Sequence, residues 1–395
     1  MKRISLFLLL FLLLKATVMY SQDGHPETNF RIVPVSPNAA SLGTFGMIPT
    51  DNYVGQANLT IPIYEIDLDG KKFPIALSYH TDGTRVAQEA TWIGLGWTLQ
   101  AGGCVVRQVQ GTDDFAARGC YNLTDAPWLT NPRFEVTDQN LEKYMGYFKG
   151  DYDAEPDMFY FNAGGHSGSM YFDVLKNNRQ LNAVPTIQTQ EKVVKMVYNT
   201  SNKTWTMTDL EGYVYSFSTK EITYYFLNTI DFFQTDITRS HIFPYYNEPQ
   251  IVTAWMLDSV TSPNGGKITF SYKKESIFTP ISTTEDVISL SKIVNGQLSS
   301  QSPQYFTNKF NYNYSYSKIE QWTLSAITFE GGKVEFGTTD REDIESAETG
   351  KKVQKLSSIK VSDTAGNLIK TTMLEYKYLL SGMAATTNGY DDRLL

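Results

Sequence analysis

The clearest pattern of hydrophobic and polar positions lies between residues 59 and 79, where apolar side chains recur at every second residue. An Asp69-Gly70 pair interrupts the alternation and supplies turn chemistry, because glycine tolerates positive φ. The phase slips at Tyr64 and Glu65, which is typical of a β-bulge, and Pro62 favours an edge strand. The apolar positions are Leu59, Ile61, Ile63, Ile66, Leu68, Phe73, Ile75, Leu77 and Tyr79. The pattern predicts a β-hairpin.

A segment of tryptophan and glycine, W-I-G-L-G-W-T-L, follows this hairpin, with Trp92 and Trp97 on either side of Gly94 and Gly96. In one interpretation the two indoles form a platform for a sugar ring. In the other, the glycines let the backbone turn tightly and the tryptophans fill the core. We favour the second interpretation and predict a structural role for these residues.

A second hairpin is predicted where Met158–Phe161 and Met170–Val174 flank a turn containing Gly164, Gly165 and Gly168. The same order of strand, glycine turn and aromatic strand then recurs at irregular spacing. The recurring units are Trp205–Phe217, Trp255–Tyr272, Trp322–Phe336 and, without the tryptophan, Ile359–Tyr378, with long insertions at 219–250 and 275–318. Because one hairpin buries only one face, the hairpins are expected to share a core.

These hairpins predict an all-β fold, in which successive antiparallel hairpins form twisted sheets arranged as a β-sandwich or a partial shell. One short helix is expected near residues 138–149, capped by Asp138 and ended by Gly150. Its apolar face contains Leu141, Tyr144, Met145 and Phe148. The predicted regions are a signal peptide at 1–21, an extended leader at 22–51, an N-terminal β region at 52–175 and a hairpin-repeat region at 176–395.

The first residues are typical of an export signal. Lys2 and Arg3 precede a nearly unbroken apolar run from Ile4 to Leu14, which is too short to span a bilayer. We predict cleavage after Ser21, with cleavage after Ala16 as the alternative. The protein is therefore expected in the periplasm, at the cell surface or outside the cell, without an integral membrane span after cleavage.

The composition of the chain limits the fold classes and the kinds of partner that are possible. The 395 residues allow two or three domains and a large core, and an aromatic share of 13% favours strands. A formal net charge of −8 and a pI near 5.2 argue against a phosphate-binding surface, which needs clustered lysine and arginine. We therefore expect no nucleic-acid partner.

Export makes the two cysteines, Cys104 and Cys120, candidates for a disulfide. The alternative is two buried thiols. We favour the alternative slightly, because Cys104 lies in an apolar strand with Val105 and Val106 and a large β core needs no covalent link.

An acidic alternation at Asp151, Asp153, Glu155 and Asp157 is the one candidate for a metal site. In an extended loop these carboxylates project to one side, an arrangement that Ca²⁺ accepts. Pro156 stands where an EF-hand loop needs glycine, which excludes that motif. A solvated acidic loop is the favoured alternative, so no cofactor is predicted.

Sequence signatures of known catalytic sites are missing. The chain has no G-x-S-x-G elbow, phosphate loop or H-E-x-x-H, and its histidines are too far apart to make a zinc pair. These histidines, interpreted as surface residues, are His25, His80, His166 and His241. A glycoside hydrolase is the enzyme alternative, since carboxylate pairs cleave sugars, with Asp113, Asp114, Glu155 and Asp157 as candidate acids. We expect no enzyme.

Several motifs resemble the N-terminal region of secreted Rhs or YD-repeat proteins, which are common in Bacteroidetes. They are Y-V-G…I-P-I-Y, P-I-A-L-S-Y-H and W-I-G-L-G-W-T-L-Q-A-G-G in the first segment, E-P-D-M-F-Y-F before the second hairpin, and L-D-S-V-T-S-P-N-G-G-K-I-T-F-S-Y later. The resemblance runs from about Pro34 to the end, including R-E-D at Arg341–Asp343 and D-D-R-L-L at Asp391–Leu395.

This resemblance implies a non-enzymatic scaffold, because in that family the repeats wrap into a β-rich shell around a C-terminal toxin or effector. The chain stops on D-D-R-L-L without the YD-repeat array, so we expect a truncated or fragmentary gene product. The implied partner is the C-terminal YD-repeat or Rhs core of a full-length relative. The alternative function is a carbohydrate-binding or adhesin module that contacts cell-surface glycans.

Overall fold

The fold is known from a computed structural model of the chain. The residues that the structure describes are 33–45, 58–80, 89–111, 113–116, 119–120, 141, 145, 153, 155–172, 185–188, 194–230, 250–280, 282–289, 293–294, 297–298, 308–380 and 393–394. The predicted signal peptide at 1–21 lies outside them.

Antiparallel strands make up most of the described chain, so the all-β prediction is confirmed. A helix, α1, spans Pro37–Phe45. The first strands are β1 (Asn58–Leu68), β2 (Lys71–His80), β3 (Trp97–Gln100), β4 (Gly103–Gln108), β5 (Met158–Ala163), β6 (His166–Tyr171), β7 (Thr186–Ile187), β8 (Val194–Asn199), β9 (Thr204–Asp209) and β10 (Val214–Ile230). The later strands are β11 (Gln250–Thr261), β12 (Lys267–Phe278), β13 (Ser282–Ser289), β14 (Ile293–Val294), β15 (Gln297–Leu298), β16 (Asn308–Phe329), β17 (Gly332–Asp340), β18 (Gln354–Ser362), β19 (Leu368–Met373), β20 (Leu379–Leu380) and β21 (Arg393–Leu394).

Two sheets carry the architecture. The small sheet has three strands in the order β1-β2-β3. The main sheet has 14 strands, with the path β19-β18-β17-β16-β10-β11-β4-β5-β6-β7 and with β8, β9, β12 and β13 attached beside it. Two further pairs, β14-β15 and β20-β21, complete the described strands. Strands from both sides of residue 175 share the main sheet.

The first predicted hairpin is the pair β1-β2. Its register shifts between Pro62 and Tyr64, next to the predicted bulge. Asp69 and Gly70 have φ values of 51° and 92°, and a two-residue type I′ turn requires positive φ at both positions. Since β1 pairs only with β2 in the described chain, Pro62 lies on an edge strand, as predicted.

At the start of β1, the side chains are more exposed than the alternating apolar pattern predicts. Ile63, Ile66 and Leu68 are buried, whereas Leu59 is 51% exposed and Ile61 is 42% exposed. Main-sheet residues donate hydrogen bonds to Leu68 O, next to the turn, and to Ile63 O, in the middle of β1. The first two apolar positions of β1 therefore lie beyond these contacts.

All four repeat units are hairpins, as predicted. They are β9-β10, β11-β12, β16-β17 and β18-β19. Gly212, Gly265 and Gly366 have positive φ at the turns of the first, second and fourth units. The strands are longer than the pattern predicted, so parts of the supposed insertions at 219–250 and 275–318 are strand. Long strands take several partners in succession, and β16 pairs with β10, β12, β13 and β17.

The hairpin β5-β6 turns at Gly164 and Gly165, which have φ values of 60° and 83°. A Cβ atom at Gly164 would lie 2.3 Å from the hydroxyl of Tyr215, so a close approach requires glycine there. Gly168 lies within β6 and not in the turn, which corrects its predicted place, and the strand ends at Tyr171.

The largest core cluster is aromatic and contains residues of both sheets. Trp205 and Trp255 are each 1% exposed, and their rings cross at 86° with centroids 6.1 Å apart. Phe172 stacks on Trp205 at 5.7 Å, and Tyr198 lies 4.8 Å from the same ring. Aromatic pairs add about 0.5–1.5 kcal/mol to the effect of burial. The tryptophans that lead the first two repeat units are therefore core residues.

The predicted extended leader at 22–51 contains the helix α1, so the prediction was wrong for residues 37–45. Ser36 caps this helix, since its Oγ accepts a hydrogen bond of 3.1 Å from Ala39 N. Pro37 occupies the first turn, where the N–H that proline lacks has no helical partner. A cap and a first-turn proline therefore start a helix in a segment whose composition favours a loop.

Contacts with distant strands hold α1 in place. Asn38 Oδ1 accepts a hydrogen bond of 2.9 Å from Trp92 N. The backbone N of Ser36 donates to Glu221 Oε1 at 2.8 Å, although the two residues are 185 positions apart. Residues 36–38 of the leader are thus bound to the core of the fold.

The one predicted helix, near 138–149, lies mostly outside the described residues. Leu141 and Met145 are described, and both have helical backbone conformation. Their side chains are 44% and 37% exposed. The rest of this helix stays a prediction.

Candidate functional site

Arg107, near the end of β4, is the centre of a buried ionic cluster. Its side chain is 2% exposed, and its backbone pairs with Phe159 of β5. Arg107 Nε donates to Asp157 Oδ2 at 2.8 Å, and Nη2 contacts both Asp113 and Asp157. The guanidinium carbon lies 5.0 Å from the ring centre of Phe115. We call Arg107, Asp113, Asp114 and Asp157 the Arg107 cluster.

The backbone N–H groups of Asp114 and Asp157 each donate a hydrogen bond to the side-chain carboxylate of the other residue. Asp157 N donates to Asp114 Oδ2 at 2.8 Å, and Asp114 N donates to Asp157 Oδ2 at 3.2 Å. Gln110 N donates to Asp157 Oδ1 at 2.7 Å. Asp114 Oδ1 is buried and has no hydrogen-bond partner among the described residues. The loop after β4 is therefore fixed to the start of β5 through carboxylates.

The Arg107 cluster contains more acids than one arginine can neutralise. Burial, followed by the negative charge of Asp157, raises the pKa of Asp114 to about 8. Burial also raises the pKa of Asp157, but its contacts with Arg107 and with two backbone amides favour the ionised form. At neutral pH, Asp114 therefore retains its proton while Asp157 carries the charge that faces Arg107.

Three of the acids predicted for a glycoside hydrolase meet in this cluster: Asp113, Asp114 and Asp157. Glu155, the fourth, is exposed and does not join them. Glycosidase acids face a sugar across a gap of about 5–10 Å. These aspartates instead point at Arg107 and at backbone amides, which is an arrangement suited to joining a loop to strands.

The four calcium candidates do not project to one side as predicted. Asp153 and Asp157 are buried, whereas Glu155 is exposed, and Asp151 lies outside the described residues. Asp153 Oδ1 accepts a hydrogen bond of 3.0 Å from Glu155 N, so the chain turns here and is not extended. Among the residues with described positions, no group of three or more His, Cys, Asp or Glu side chains could hold a metal ion.

A second ionic cluster joins the small sheet to the main sheet through Lys71, the first residue of β2. Lys71 Nζ donates to Asp209 Oδ2 at 2.6 Å and to Glu211 Oε2 at 2.9 Å. It also lies 4.9 Å from the ring centre of Tyr213. Tyr215 Oη donates to Asp209 Oδ2 at 3.1 Å. We call these five residues the Lys71 latch.

Lys71 and Asp209, the central pair of the latch, are ionised at neutral pH. Burial lowers the pKa of Lys71, but the bonds to Asp209 and Glu211 outweigh it and raise this pKa above its ordinary value. Burial raises the pKa of Asp209, but the hydrogen bond from Lys71 lowers it by more, so this pKa lies below its ordinary value. Burial and the charge of Lys71 lower the pKa of His166, so this imidazole, 3.8 Å from Asp209, is neutral.

Three β-turns meet beside the latch. Tyr213 Oη, after the turn at 210–212, donates to Leu68 O at 3.0 Å. Asp69, in the turn of the first hairpin, contacts Ser262 Oγ before the turn of β11-β12. The turn of the small sheet is therefore held by polar contacts with two repeat units.

The R-E-D segment contains a third buried ion pair, and its arginine also binds a distant backbone carbonyl. Arg341 is 2% exposed, and its Nε and Nη2 donate to the two carboxylate oxygens of Asp343 at 2.7 and 2.6 Å. Nη2 also donates to Ala90 O at 3.2 Å. Burial raises the pKa of Glu89 and that of Glu275 to about 7, which the charge of Arg341 opposes. The residues just before the Trp92 turn are thus bound to the C-terminal half.

The tryptophans of the W-I-G-L-G-W segment pack inside the fold. Trp92 is 6% exposed, with its ring centre 6.4 Å from that of Phe336. Trp97 is half-buried against a tyrosine of β2, at 5.1 Å. Gly94 and Gly96 have φ values of 130° and 76°. This arrangement agrees with a tight turn that places the indoles against the core.

Cys104 and Cys120 are both buried and are not disulfide-bonded. The candidate disulfide is therefore not formed, and the arrangement is the alternative of two buried thiols. The two cysteines belong to different core clusters. Burial raises the pKa of the Cys104 thiol, which makes it a poor nucleophile.

Of the other histidines, only the backbone of His80 is described. His80 ends β2, while His25 and His241 lie outside the described residues.

Sequence patterns identified Asp113, Asp114 and Asp157 but not the arginine that they face. A signal was present, because Arg107 follows two valines in an apolar strand, and a charge inside such a run indicates a buried ion pair. Lys71 has no comparable signal. Its partners are 138 and 140 positions away in sequence, so only the folded chain brings them together.

No described helix is both long enough and apolar enough to cross a membrane. No protein-family model and no curated protein match the sequence.

Among solved structures, the chain is similar to part of the Tc holotoxin pore of Photorhabdus luminescens, with 9% identity over 88% of this chain and 14% of that one, at a TM-score of 0.36. It is similar to the N-terminal domain of the effector protein SpvB from Salmonella typhimurium strain LT2, with 11% identity over 81% and 99% of the two chains, at a TM-score of 0.35. A TcdB2-TccC3-Cdc42 complex gives 11% identity over 82% and 14%, at 0.33. The chain thus spans 14% of the toxin chains that it matches. At these identities and TM-scores, no activity or partner follows from the likeness.

Proposed function

We propose that this chain is a non-enzymatic, toxin-related scaffold, the N-terminal part of a secreted Rhs- or YD-repeat-type shell or cell-surface protein. The observation that carries the proposal is the use of buried charges. Arg107, Lys71 and Arg341 each join segments far apart in sequence: Arg107 lies in the 14-stranded sheet, Lys71 lies at the contact of that sheet with the small sheet, and Arg341 binds Ala90 just before the Trp92 turn. Such contacts hold distant parts of the fold together and leave these groups committed to structure.

The motifs quoted above support the family part of the proposal. W-I-G-L-G-W forms a packed turn, E-P-D precedes the aromatic hairpin β5-β6, and R-E-D ties the C-terminal half to the first segment. In the proposed function, these motifs hold successive hairpins together. The proposed partner is the C-terminal YD-repeat or Rhs core of a full-length relative. We propose no cofactor.

Association with a separately produced core tests the scaffold function. The mature chain, residues 22–395, is mixed with the YD-repeat core of a longer relative, and the complex is sought by size-exclusion chromatography with light scattering. The proposal expects a stoichiometric complex. A matched control uses Lys71→Met, which weakens the small sheet without altering the rest of the surface. A folded chain that never associates with any such core would contradict the proposal.

The same preparation separates the scaffold from the two alternatives. A glycan array and a panel of chromogenic glycosides measure sugar binding and hydrolysis. We expect neither, since Trp92 packs against Phe336 and the acids near Arg107 face that arginine. Glycoside turnover that disappears in a folded Asp157→Asn variant would instead establish a hydrolase.

Export is proposed from Lys2, Arg3 and the apolar run that follows. Residues 1–21 fused to a reporter that is active only outside the cytoplasm should give activity, whereas a fusion with Lys2→Glu and Arg3→Glu should give much less. Equal activity of the two fusions would argue against a signal peptide.

A further inference from the structure

A cavity of about 160 Å³ lies between the small sheet and the main sheet, and we call it the inter-sheet cavity. Protein interiors are closely packed and hold few spaces larger than a water molecule, so a cavity of this size is unusual. Its most buried lining residues are four isoleucines, two from each sheet, and none is more than 2% exposed. They are Ile66, Ile75, Ile268 and Ile327.

The inter-sheet cavity has an open side. Pro74 and Gly165 line it, and both are exposed. A Cβ atom at Gly165 would have no atom within 4 Å other than those of its chain neighbours. A small molecule can therefore reach the buried isoleucines from solvent without unfolding of the sheets.

The lining favours an uncharged occupant. No charged side chain is found among the described residues that line the cavity, and the polar ones are Thr98, Gln100 and Asn162. Asn162 Nδ2 already donates to Leu42 O at 2.9 Å. A buried water molecule needs several polar partners, which the isoleucines do not supply. A charged ligand would lose its hydration without gaining an ion partner.

Contacts between the two sheets oppose collapse of the cavity. Phe73 lines it and packs against Tyr213 and Tyr215 of the Lys71 latch, with ring centres 6.5 and 6.4 Å apart. Lys370 Nζ, on the main sheet, donates to Ile63 O on the small sheet at 2.8 Å. The cost of a cavity depends on how well its surroundings can collapse, and collapse here would disturb these contacts. A ligand that fills the space should therefore stabilise the fold.

We propose that the inter-sheet cavity binds a small, uncharged apolar molecule, of the size of a benzene ring or a short hydrocarbon chain. In another protein, an engineered cavity of about 150 Å³ lined by leucine, isoleucine and phenylalanine stays dry and binds benzene. The inter-sheet cavity is similar in volume and in its buried lining. The inference goes beyond the scaffold function proposed above and does not depend on it.

Nuclear magnetic resonance of isoleucine methyl groups tests where such a molecule binds. When benzene is titrated into the mature chain, the signals of the four lining isoleucines should shift together and saturate, because they report one site. Ile277 and Ile319 belong to a separate core cluster, and their signals should stay unchanged. The absence of a saturable shift in the four signals, or shifts of the same size in all six, would overturn the proposal.

Filling the cavity tests the site by substitution. Ala101 lines the cavity, and Ala101→Leu places a larger side chain there. Ala365→Leu makes the same change at an exposed turn and is the matched control. Benzene affinity, measured by calorimetry, should fall about tenfold or more in Ala101→Leu and stay unchanged in Ala365→Leu, and thermal unfolding checks that both variants fold. Equal affinities of two folded variants would overturn the proposal. If Ala101→Leu does not fold, the titration of the wild type decides.

A charged ligand tests the chemistry of the site. Benzoate contains the same ring as benzene and adds a carboxylate, which the cavity offers no cation to pair. Its affinity for the wild type should be about tenfold or more below that of benzene. Benzoate that binds as tightly as benzene would show that the site does not select uncharged molecules, and the proposal would fail.

Discussion

At the scale of single residues, buried charges in this protein act between segments rather than toward a ligand. Arg107 and Asp157 are 50 positions apart in sequence, and both are almost inaccessible to solvent. Removing one partner of a buried pair leaves the other charge without compensation, which is more harmful than removing both. Substitutions of one partner are therefore the informative ones.

Replacement of Asp157 by asparagine should destabilise the protein by about 2–4 kcal/mol, because the neutral amide leaves Arg107 with Asp113 as its remaining carboxylate. Urea unfolding followed by tryptophan fluorescence measures the change, since Trp205 and Trp255 report on the core. Glu155→Gln removes an exposed carboxylate nearby and should behave as an ordinary surface substitution. Equal stability of Asp157→Asn and the wild type would show that the Arg107 cluster is not structural.

The proton on Asp114 gives a pH dependence with a definite sign. Its pKa of about 8 in the folded state lies above the ordinary value of 3.8, so its contribution to stability is fully present below 3.8 and is lost as pH rises through 8. Between pH 7 and 9, the free energy of unfolding of the wild type should fall by about 1 kcal/mol more than that of Asp114→Asn. Glu89 and Glu275, with pKa values of about 7, complete most of their change at lower pH. Parallel curves for the two proteins would contradict this assignment.

At the scale of elements, hairpins were predictable because their signals are local. Alternation and a glycine turn lie within about twenty residues, and both are visible at Asp69-Gly70 and at Gly265. Strand lengths were not predictable, since β16 is extended by pairing with four partners from elsewhere in the chain. The helix α1 was missed although Ser36 and Pro37 are a recognisable start, because the segment around them reads as a loop.

The Lys71 latch predicts how firmly the small sheet is held. Lys71→Met leaves Asp209 buried without its cation, which should lower stability by about 1–3 kcal/mol. Hydrogen exchange should show faster exchange in β1 and β2 than in the wild type. Lys72→Met removes the neighbouring lysine, whose contact with Glu65 is at the surface, and should leave exchange unchanged. Similar effects of the two substitutions would mean that the loss of one positive charge, and not the loss of the bonds from Lys71 to Asp209 and Glu211, causes the change.

At the scale of the whole molecule, the small sheet and the residues just before its third strand are bound by residues from the far end of the chain. Arg341 binds Ala90 O, Leu356 N donates to Trp92 O at 2.8 Å, and Lys370 binds Ile63 O. These contacts explain why the candidate site was only partly predictable. The acidic residues were recognisable in the sequence, but which lysine or arginine side chain each carboxylate binds depends on how the two sheets pack.

Shortening the chain tests this dependence. A mature chain that ends at Asp340 lacks all three contacts and should lose hydrogen-exchange protection in the small sheet. A chain that ends at Leu380 retains them and should keep that protection. Full protection of β1-β3 in the shorter chain would show that the main sheet up to β17 is sufficient to hold the small sheet.

The bond between Lys370 and Ile63 joins residues 307 positions apart, and this separation sets an order of events during synthesis. At about 5–20 residues per second, the lysine leaves the ribosome roughly 15–60 s after the carbonyl that it binds. Contacts of such long range also close slowly. The contacts between the first strands and β19 therefore form only after most of the chain has been synthesised.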